Sequence, residues 1–296
     1  MTAIETDATL SRQMWRILEP IHAVTYFAPE TRQSTDALGL RGGWMSYFAC
    51  RSAPLGAASA ELVTATFYNF HPSMVARAIP DAWSYATPEA ILEARLGAVD
   101  AALHRILGPI VDGDEMAEAA ALARQAAEAA STAGRPLAAA NAALPWPSVP
   151  HLVLWSATTR LREHRGDGHV AALVCAGLDP CQAHVTISAA GGPPKQLLLL
   201  SRKWSEQEWA EAEHGLIARG LLDVGGALTP AGTELRNEVE RRTDELAAGP
   251  WRALGEHGAS RLAELARPIS GRVVSTGELP VPNPMGLDWS QAVSAG

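Results

Sequence analysis

The densest run of chemistry-bearing side chains is Arg162-Glu163-His164-Arg165-Gly166-Asp167-Gly168-His169. Asp167 can orient either neighbouring imidazole for proton transfer, so His164, Asp167 and His169 form the candidate acid–base set, with Arg165 as a candidate ligand contact. The two glycines permit positive φ and close approach of a ligand to backbone amides. A purely structural reading stands beside this one. In it, Asp167 caps a helix that starts near His169, and Glu163 and Arg165 lie on a solvent face.

Smaller constellations lie in the first quarter of the chain. His22 and Tyr26 are four residues apart, so in a helix they share a face and can meet a ligand together. Their neighbours are apolar, which equally suits a core histidine. His71 precedes Pro72, which pushes it out of the α region at a helix end; its ring then points into a cavity or caps carbonyls. Tyr47 and Arg51 follow each other in Tyr47-Phe48-Ala49-Cys50-Arg51, where the guanidinium can anchor a carboxylate or phosphate on a mostly apolar ligand, or form an interdomain salt bridge. Trp44, Tyr47, Tyr68, Trp83, Trp155 and Trp209 have a polar handle each and suit either a cavity wall or a core.

Metal and cofactor signals are weak. His164 and His169 are five apart, which misses the i, i+4 spacing of helical zinc pairs, and Cys50, Cys175 and Cys181 form no CxxC, so no metal site is assigned. No cofactor is assigned either, although haem ligation by His22, His71 or a tyrosine stays open because it needs one axial residue. GxGxxG after a strand, Walker and GxSxG motifs are absent, which argues against dinucleotide and nucleoside triphosphate chemistry.

The elements that must position these residues read as helices. Trp15, Leu18, Ile21, His22 and Thr25 share one face of a helix that Pro29 interrupts, with a kink expected at Pro20. Trp44–Phe48 is followed by a loop over 51–56, a helix over 58–67 and another over 72–78. Thr87 caps a helix over 88–107. Residues 116–143 are alanine-rich and read as a helix bridging two halves. Leu144-Pro145-Trp146-Pro147-Ser148-Val149-Pro150 breaks the chain before a helix over 151–163. Helices over 168–176 and 181–190, with a Gly177-containing turn between them, form a helix-turn-helix pattern. Ser205 and Glu208 make a capping box for a helix over 206–219. Residues 221–228 form a hairpin, and Thr229-Pro230 starts a helix to Ala247. The fold expected is mainly α, with two helical domains, the C-terminal one a winged helix with a short β-hairpin wing. The boundaries fall at 1–108, an alanine-rich helix and linker over 109–150, a winged-helix domain over 151–250, and a helix with an irregular tail over 251–296.

Leu216-Ile217-Ala218-Arg219-Gly220-Leu221-Leu222 and Gly226-Ala227-Leu228-Thr229-Pro230-Ala231-Gly232 resemble the end of the recognition helix, the wing and the next helix of MarR-type regulators. His22-Ala23-Val24-Thr25-Tyr26-Phe27, Thr66-Phe67-Tyr68-Asn69-Phe70-His71-Pro72, the 162–169 run and Asn283-Pro284-Met285-Gly286-Leu287 are similar to a helix-turn-helix family of actinobacteria spanning nearly the whole chain. The resemblance implies architecture and supplies no catalytic residue.

Charge runs against the DNA-binding use of such a module. The helix over 206–219 holds Glu206, Glu208, Glu211 and Glu213 against one arginine, and Asp223 is the wing's one charged residue. A duplex presents a negative charge every ~1.7 Å and calls for cations there. The net charge of −8 and pI near 5.6 repeat that opposition for the whole chain. No stretch reaches the length of a membrane span, and the three cysteines suit a reducing compartment, so a cytoplasmic protein is expected. The expected partner is a small, largely apolar metabolite held in a pocket lined by His, Tyr and Arg, with acid–base chemistry on it; DNA is disfavoured and a homodimer is left open. The alternative is a MarR-like regulator whose DNA contacts come from Arg202, Lys203, Arg236, Arg241 and Arg242.

Overall fold

A computed structural model describes residues 3–293. The first half contains α1 (Ala3–Phe27), α2 (Pro29–Ala37), α3 (Gly42–Ser52), α4 (Ala60–Phe67), α5 (Pro72–Ala76), α6 (Ala82–Tyr85), α7 (Pro88–Leu107), α8 (Asp114–Glu128) and α9 (Pro136–Ala142). The second contains α10 (Pro150–Cys175), α11 (Pro180–Ala189), α12 (Lys195–Arg202), α13 (Glu206–Ala218), α14 (Pro230–Leu246), α15 (Gly249–Ser275) and α16 (Ser290–Val293). No single helix among the described residues is long and apolar enough to cross a membrane.

Three apolar cores cut across chain order. One joins α1, α7, α8, the first half of α10, α15 and the tail around Trp289, so the first and last segments of the chain pack together. The second gathers the aromatic residues of α3 to α5 around Phe48, Phe67 and Phe70. The third lies among the end of α10 and α11 to α14, around Trp209 and Leu216. Helix α10 belongs to the first and third at once. It is buried on most of its faces, from His151 through Gly168 to Leu173.

Several elements differ from the sequence expectation, each for a physical reason. α1 runs unbroken through Pro20, and Pro29 opens α2 at its first turn, where a missing N–H costs nothing. Arg51 is helical, within α3. The alanine-rich stretch is two helices, and α8 is a core element: Ala119, Ala120, Ala123 and Ala126 are buried, their small side chains letting it pack closely on α10 and α15. The largest difference is at Gly166 and Gly168, which are ordinary helical residues inside α10 and not a junction. Glycine at 168 serves a close approach of another kind. Arg135 crosses it, donating to the His164 carbonyl and, at 2.8 Å, to that of Leu246.

The helix-turn-helix follows as expected. Gly177 turns the chain at φ +63°, Asp179 caps α11 in a reciprocal box with Gln182, and α11 leaves α10 at 96°. Ser205 and Glu208 form the predicted capping box of α13, and Thr229 caps α14. The wing, however, is reduced to one antiparallel bridge between Leu222 and Leu228. The Asp223 carboxylate accepts the N–H groups of Gly225 (2.8 Å) and Ala227 (3.0 Å), which tightens the tip into a turn and leaves no ladder of strands.

The turn is pressed against α14 at Gly232, where an added Cβ would lie 2.0 Å from the Leu221 carbonyl oxygen. Gly232→Ala should therefore destabilise the protein by about 2 kcal/mol through overpacking against backbone. Gly97→Ala, in the exposed middle of α7 with nothing within 4 Å, should stabilise by up to about 1 kcal/mol. Equilibrium denaturation of both variants checks this; equal effects would contradict the packing described.

Candidate functional site

A cavity of about 500 Å³ lies where the three cores meet. Its walls come from α1, α3, α4, α9, α10, α11, α12, α14 and α16, with Asn69 and Phe70 from the loop after α4 and Pro284 to Asp288 from the tail. Gly191, Gly192, Asn237, Gly286 and Asp288 are exposed and mark where it opens. Asn283 folds the tail into this wall, its Oδ1 accepting from the N–H groups of Met285 (3.1 Å) and Leu287 (3.2 Å).

The lining holds the expected His, Tyr and Arg side chains among apolar ones, with more arginines than the sequence reading assigned. Seven arginines face it: Arg12, Arg16, Arg51, Arg162, Arg165, Arg202 and Arg236. Five of them share three carboxylates. Glu163 accepts from Arg51 through both oxygens at 2.9 Å and from Arg162 at 2.9 Å. Glu240 takes Arg12 (2.9 Å) and Arg236 (2.6 Å), and Asp244 takes Arg12 and Arg165, each at 2.7 Å. Arg16 and Arg202 have no ion pair among the described residues, although Asp288 senses the Arg16 charge. Aromatic groups interleave with the cations: Arg51 lies 4.1 Å from the Phe67 ring centroid, Arg202 4.5 Å from Phe70 and Arg165 4.6 Å from Trp15.

Burial governs the ionisation of these groups. It pushes the Glu163 carboxyl upward, but the Arg162 and Arg51 charges overrule it and hold Glu163 well below the usual carboxylate range. Glu19, buried beside Arg162 at 3.7 Å, has its pKa raised by burial despite that cation. Asp167 is pushed up to about 6 by burial, against the stabilising N–H groups of Ala138 (2.9 Å) and Leu137. His169 falls to about 4 through burial, with Nδ1 2.9 Å from the Thr243 hydroxyl.

The candidate residues do not gather in one place. Asp167, His169, Arg165, Tyr47 and Arg51 line the cavity. His164 does not; it faces a crevice of about 20 Å³ beside Trp15 and Trp251. His22 and Tyr26 share a helix face as expected, yet that face is turned into the core. His22 uses both ring nitrogens, on Thr159 and on the Tyr26 hydroxyl, each at 3.0 Å. His71 likewise spends Nδ1 on Ser73 (2.7 Å) and Nε2 on Glu208 (2.9 Å). Neither ring has a nitrogen left for haem. Of the aromatics proposed for a wall, Tyr47 alone reaches the cavity; Trp155 lines a crevice of about 10 Å³ with His22.

Glu163 and Arg165 are buried, not solvent-facing, and Asp167 caps α9 in place of a helix in its own segment. Glu19, Arg12, Arg162, Arg202 and Arg236 are site residues that the sequence reading did not name as such, since no local spacing shows that α1, α10, α12 and α14 meet at one wall. A further group, Asp100, His104 and His151, holds its ligand atoms within 4.8 Å across α7 and α10. The i, i+4 spacing of Asp100 and His104 was its visible sign. It is internally bonded, with His151 Nε2 2.6 Å from Asp100 Oδ1 and His104 Nδ1 2.9 Å from the Asp100 carbonyl.

The loop after α4 also closes the helix-turn-helix from outside. Asn69 presents its carbonyl to His184 Nε2 (2.8 Å) and Trp204 Nε1 (3.1 Å), and His71 N–H donates to the Arg202 carbonyl (3.0 Å). Tyr68, held at φ +59°, donates its hydroxyl to the Leu178 carbonyl. A non-glycine residue persists in that conformation only when its surroundings impose it. His71 thus bonds Glu208 in the first turn of α13, where a recognition helix would approach bases.

Glu163→Gln would leave Arg51 and Arg162 buried with one neutral acceptor between them, so a loss of about 3–5 kcal/mol is expected in urea denaturation. Proton linkage gives a second expectation. His164, His169 and His184 each have a folded pKa of about 4, below the unfolded value near 6.5, so the native state binds fewer protons between those limits. Stability is then complete above pH ~6.5 and falls as pH drops toward 4. Asp167, raised to about 6, opposes this, because its native state binds more protons above pH ~4. Three histidines outweigh one aspartate, and His169→Gln should flatten the slope by about one proton. An unchanged slope would refute the burial of that ring.

A family profile described as a helix-turn-helix family matches residues 11–280. No curated protein and no solved structure matches the chain. The match takes in the helices that wall the cavity as well as the module from α10 to α14. With a Gly177 turn between helices crossing at 96° and a profile covering most of its length, the chain belongs to this helix-turn-helix family.

Proposed function

We propose that this chain binds a small molecule in the cavity between its N-terminal helices and its helix-turn-helix module, on a MarR-like winged-helix scaffold no longer used to read DNA. The observation that carries the reading is the cavity itself: about 500 Å³, inside the range of ligand sites, with walls from both halves. The helix–turn–helix order of α13, the Leu222–Leu228 bridge and α14 supports the scaffold. Proton transfer on a bound ligand would fall to Asp167 and neutral His169, whose environments push their pKa values in opposite directions. His164, outside the cavity, drops out of that role.

The competing use, duplex recognition, lacks its cations. Arg202 and Arg236 are buried at the cavity, and Arg241 and Arg242 are bound to Glu238 on their own helix. Arg219, at the end of α13, donates to the carbonyls of Gly177 (2.7 Å) and Ala176 (3.2 Å). Of the residues considered for DNA contact, Lys203, Arg241 and Arg242 are exposed, and of these Lys203 has no carboxylate partner among the described residues.

Titration with the neutral fluorophore N-phenyl-1-naphthylamine tests the reading. Saturable one-site binding is expected, weakened by Val170→Trp, which narrows the cavity from α10, with little change in thermal stability. Binding unaffected by Val170→Trp, or sequence-specific duplex binding that weakens steeply with salt, would overturn the proposal.

A further inference from the structure

Arg202 ends α12 at the cavity wall and is only 9 % exposed. Its Nε has no acceptor, and the one hydrogen bond of its guanidinium among the described residues runs 3.2 Å back to the adjacent Ser201 carbonyl. After burial, which disfavours its charge, the Tyr47 phenol favours that charge, while two more cations, Arg51 and Arg162, oppose it; no carboxylate is among these groups. Those two cations already share Glu163. An arginine stays charged at neutral pH, and withdrawing it from water without a counter-ion is costly unless an anion arrives to meet it.

Its surroundings describe the rest of the ligand. The Phe70 ring is 4.5 Å from the guanidinium carbon, Tyr47 and Phe70 lie with centroids 5.5 Å apart, and Phe67 continues the same wall. Asn69 reaches this wall with a buried side-chain oxygen that has no partner; the amide can turn either its oxygen or its NH2 toward a head group. Of the cavity's two arginines without an ion pair among the described residues, Arg202 is the buried one, and its place beside aromatic faces suits a molecule with one oxyanion and an apolar body.

Taking the cavity as the binding site proposed above, we infer that it selects an amphipathic oxyanion, a carboxylate, sulfonate or phosphate on an aromatic or aliphatic body, with Arg202 anchoring the head group. The body lies against Tyr47, Phe67 and Phe70. Guanidinium recognition of such heads is charge-assisted and directional.

The test compares 8-anilinonaphthalene-1-sulfonate with N-phenyl-1-naphthylamine, which share a body and differ in the sulfonate. The wild type should bind the sulfonate about tenfold more tightly, the worth of a hydrogen bond to a charged group. Arg202→Met should erase that preference while leaving the neutral probe within about twofold, and Arg202→Lys should keep part of it. Octanoate should displace the sulfonate where inorganic phosphate, lacking a body, does not. Equal affinity of the two probes for the wild type, retained preference in Arg202→Met, or displacement by phosphate as effective as by octanoate overturns the inference. Removing an unmatched buried cation should leave the melting temperature unchanged or raised; a large drop in Arg202→Met would make the residue structural and equally overturn it. Should the neutral probe bind and the preference be absent, this inference fails alone. Should neither probe bind, the cavity reading fails with it.

Discussion

Glu163 keeps a negative charge inside the protein because two guanidiniums from different directions reach it. Arg51 comes from α3 with both donors, and Arg162 comes from the same helix as Glu163 while extending toward Glu19 on α1. A buried carboxylate without such partners would take up a proton or unfold its site. With them, three helices are tied together at one point and the wall they share is polar. Glu240 and Asp244 repeat the arrangement toward α14. The cavity exists because these shared carboxylates hold long side chains around it and stop the apolar cores from closing over the space.

The same economy of polar groups covers part of the helix-turn-helix. Its turn and the first residues of α13 are covered by Tyr68, Asn69 and His71, which satisfy donors and acceptors on α12 and α13 and on the turn before α11. Part of the module forms one wall of the cavity, with Arg202 and Arg236 at that wall and Arg241 and Arg242 paired with Glu238.

What could be read from the sequence was local. Thr87, Ser205 with Glu208, and Thr229 with Pro230 announced their helices because capping is decided within a turn. Gly166 and Gly168 misled for the same reason: glycine costs a helix only about 1 kcal/mol, which packing on every side of α10 and the Arg135 contacts offset. His22 and Tyr26 had the right spacing and the wrong direction, since periodicity names a shared face without saying what it meets. Arg51 and Glu163 are 112 residues apart, and nothing in their spacing links them. The arginine wall is assembled from residues on five separate helices, so its charge was invisible to a sequence that is acidic overall.

Native mass spectrometry of the gently purified protein tests most directly whether the internal cavity is the occupied surface. A population heavier than the bare chain, carrying a small molecule that is released on acid unfolding and is reduced in the Val170→Trp variant, is the result expected. A chain found only at its bare mass, and shifted instead by duplex DNA at physiological salt, would contradict the account.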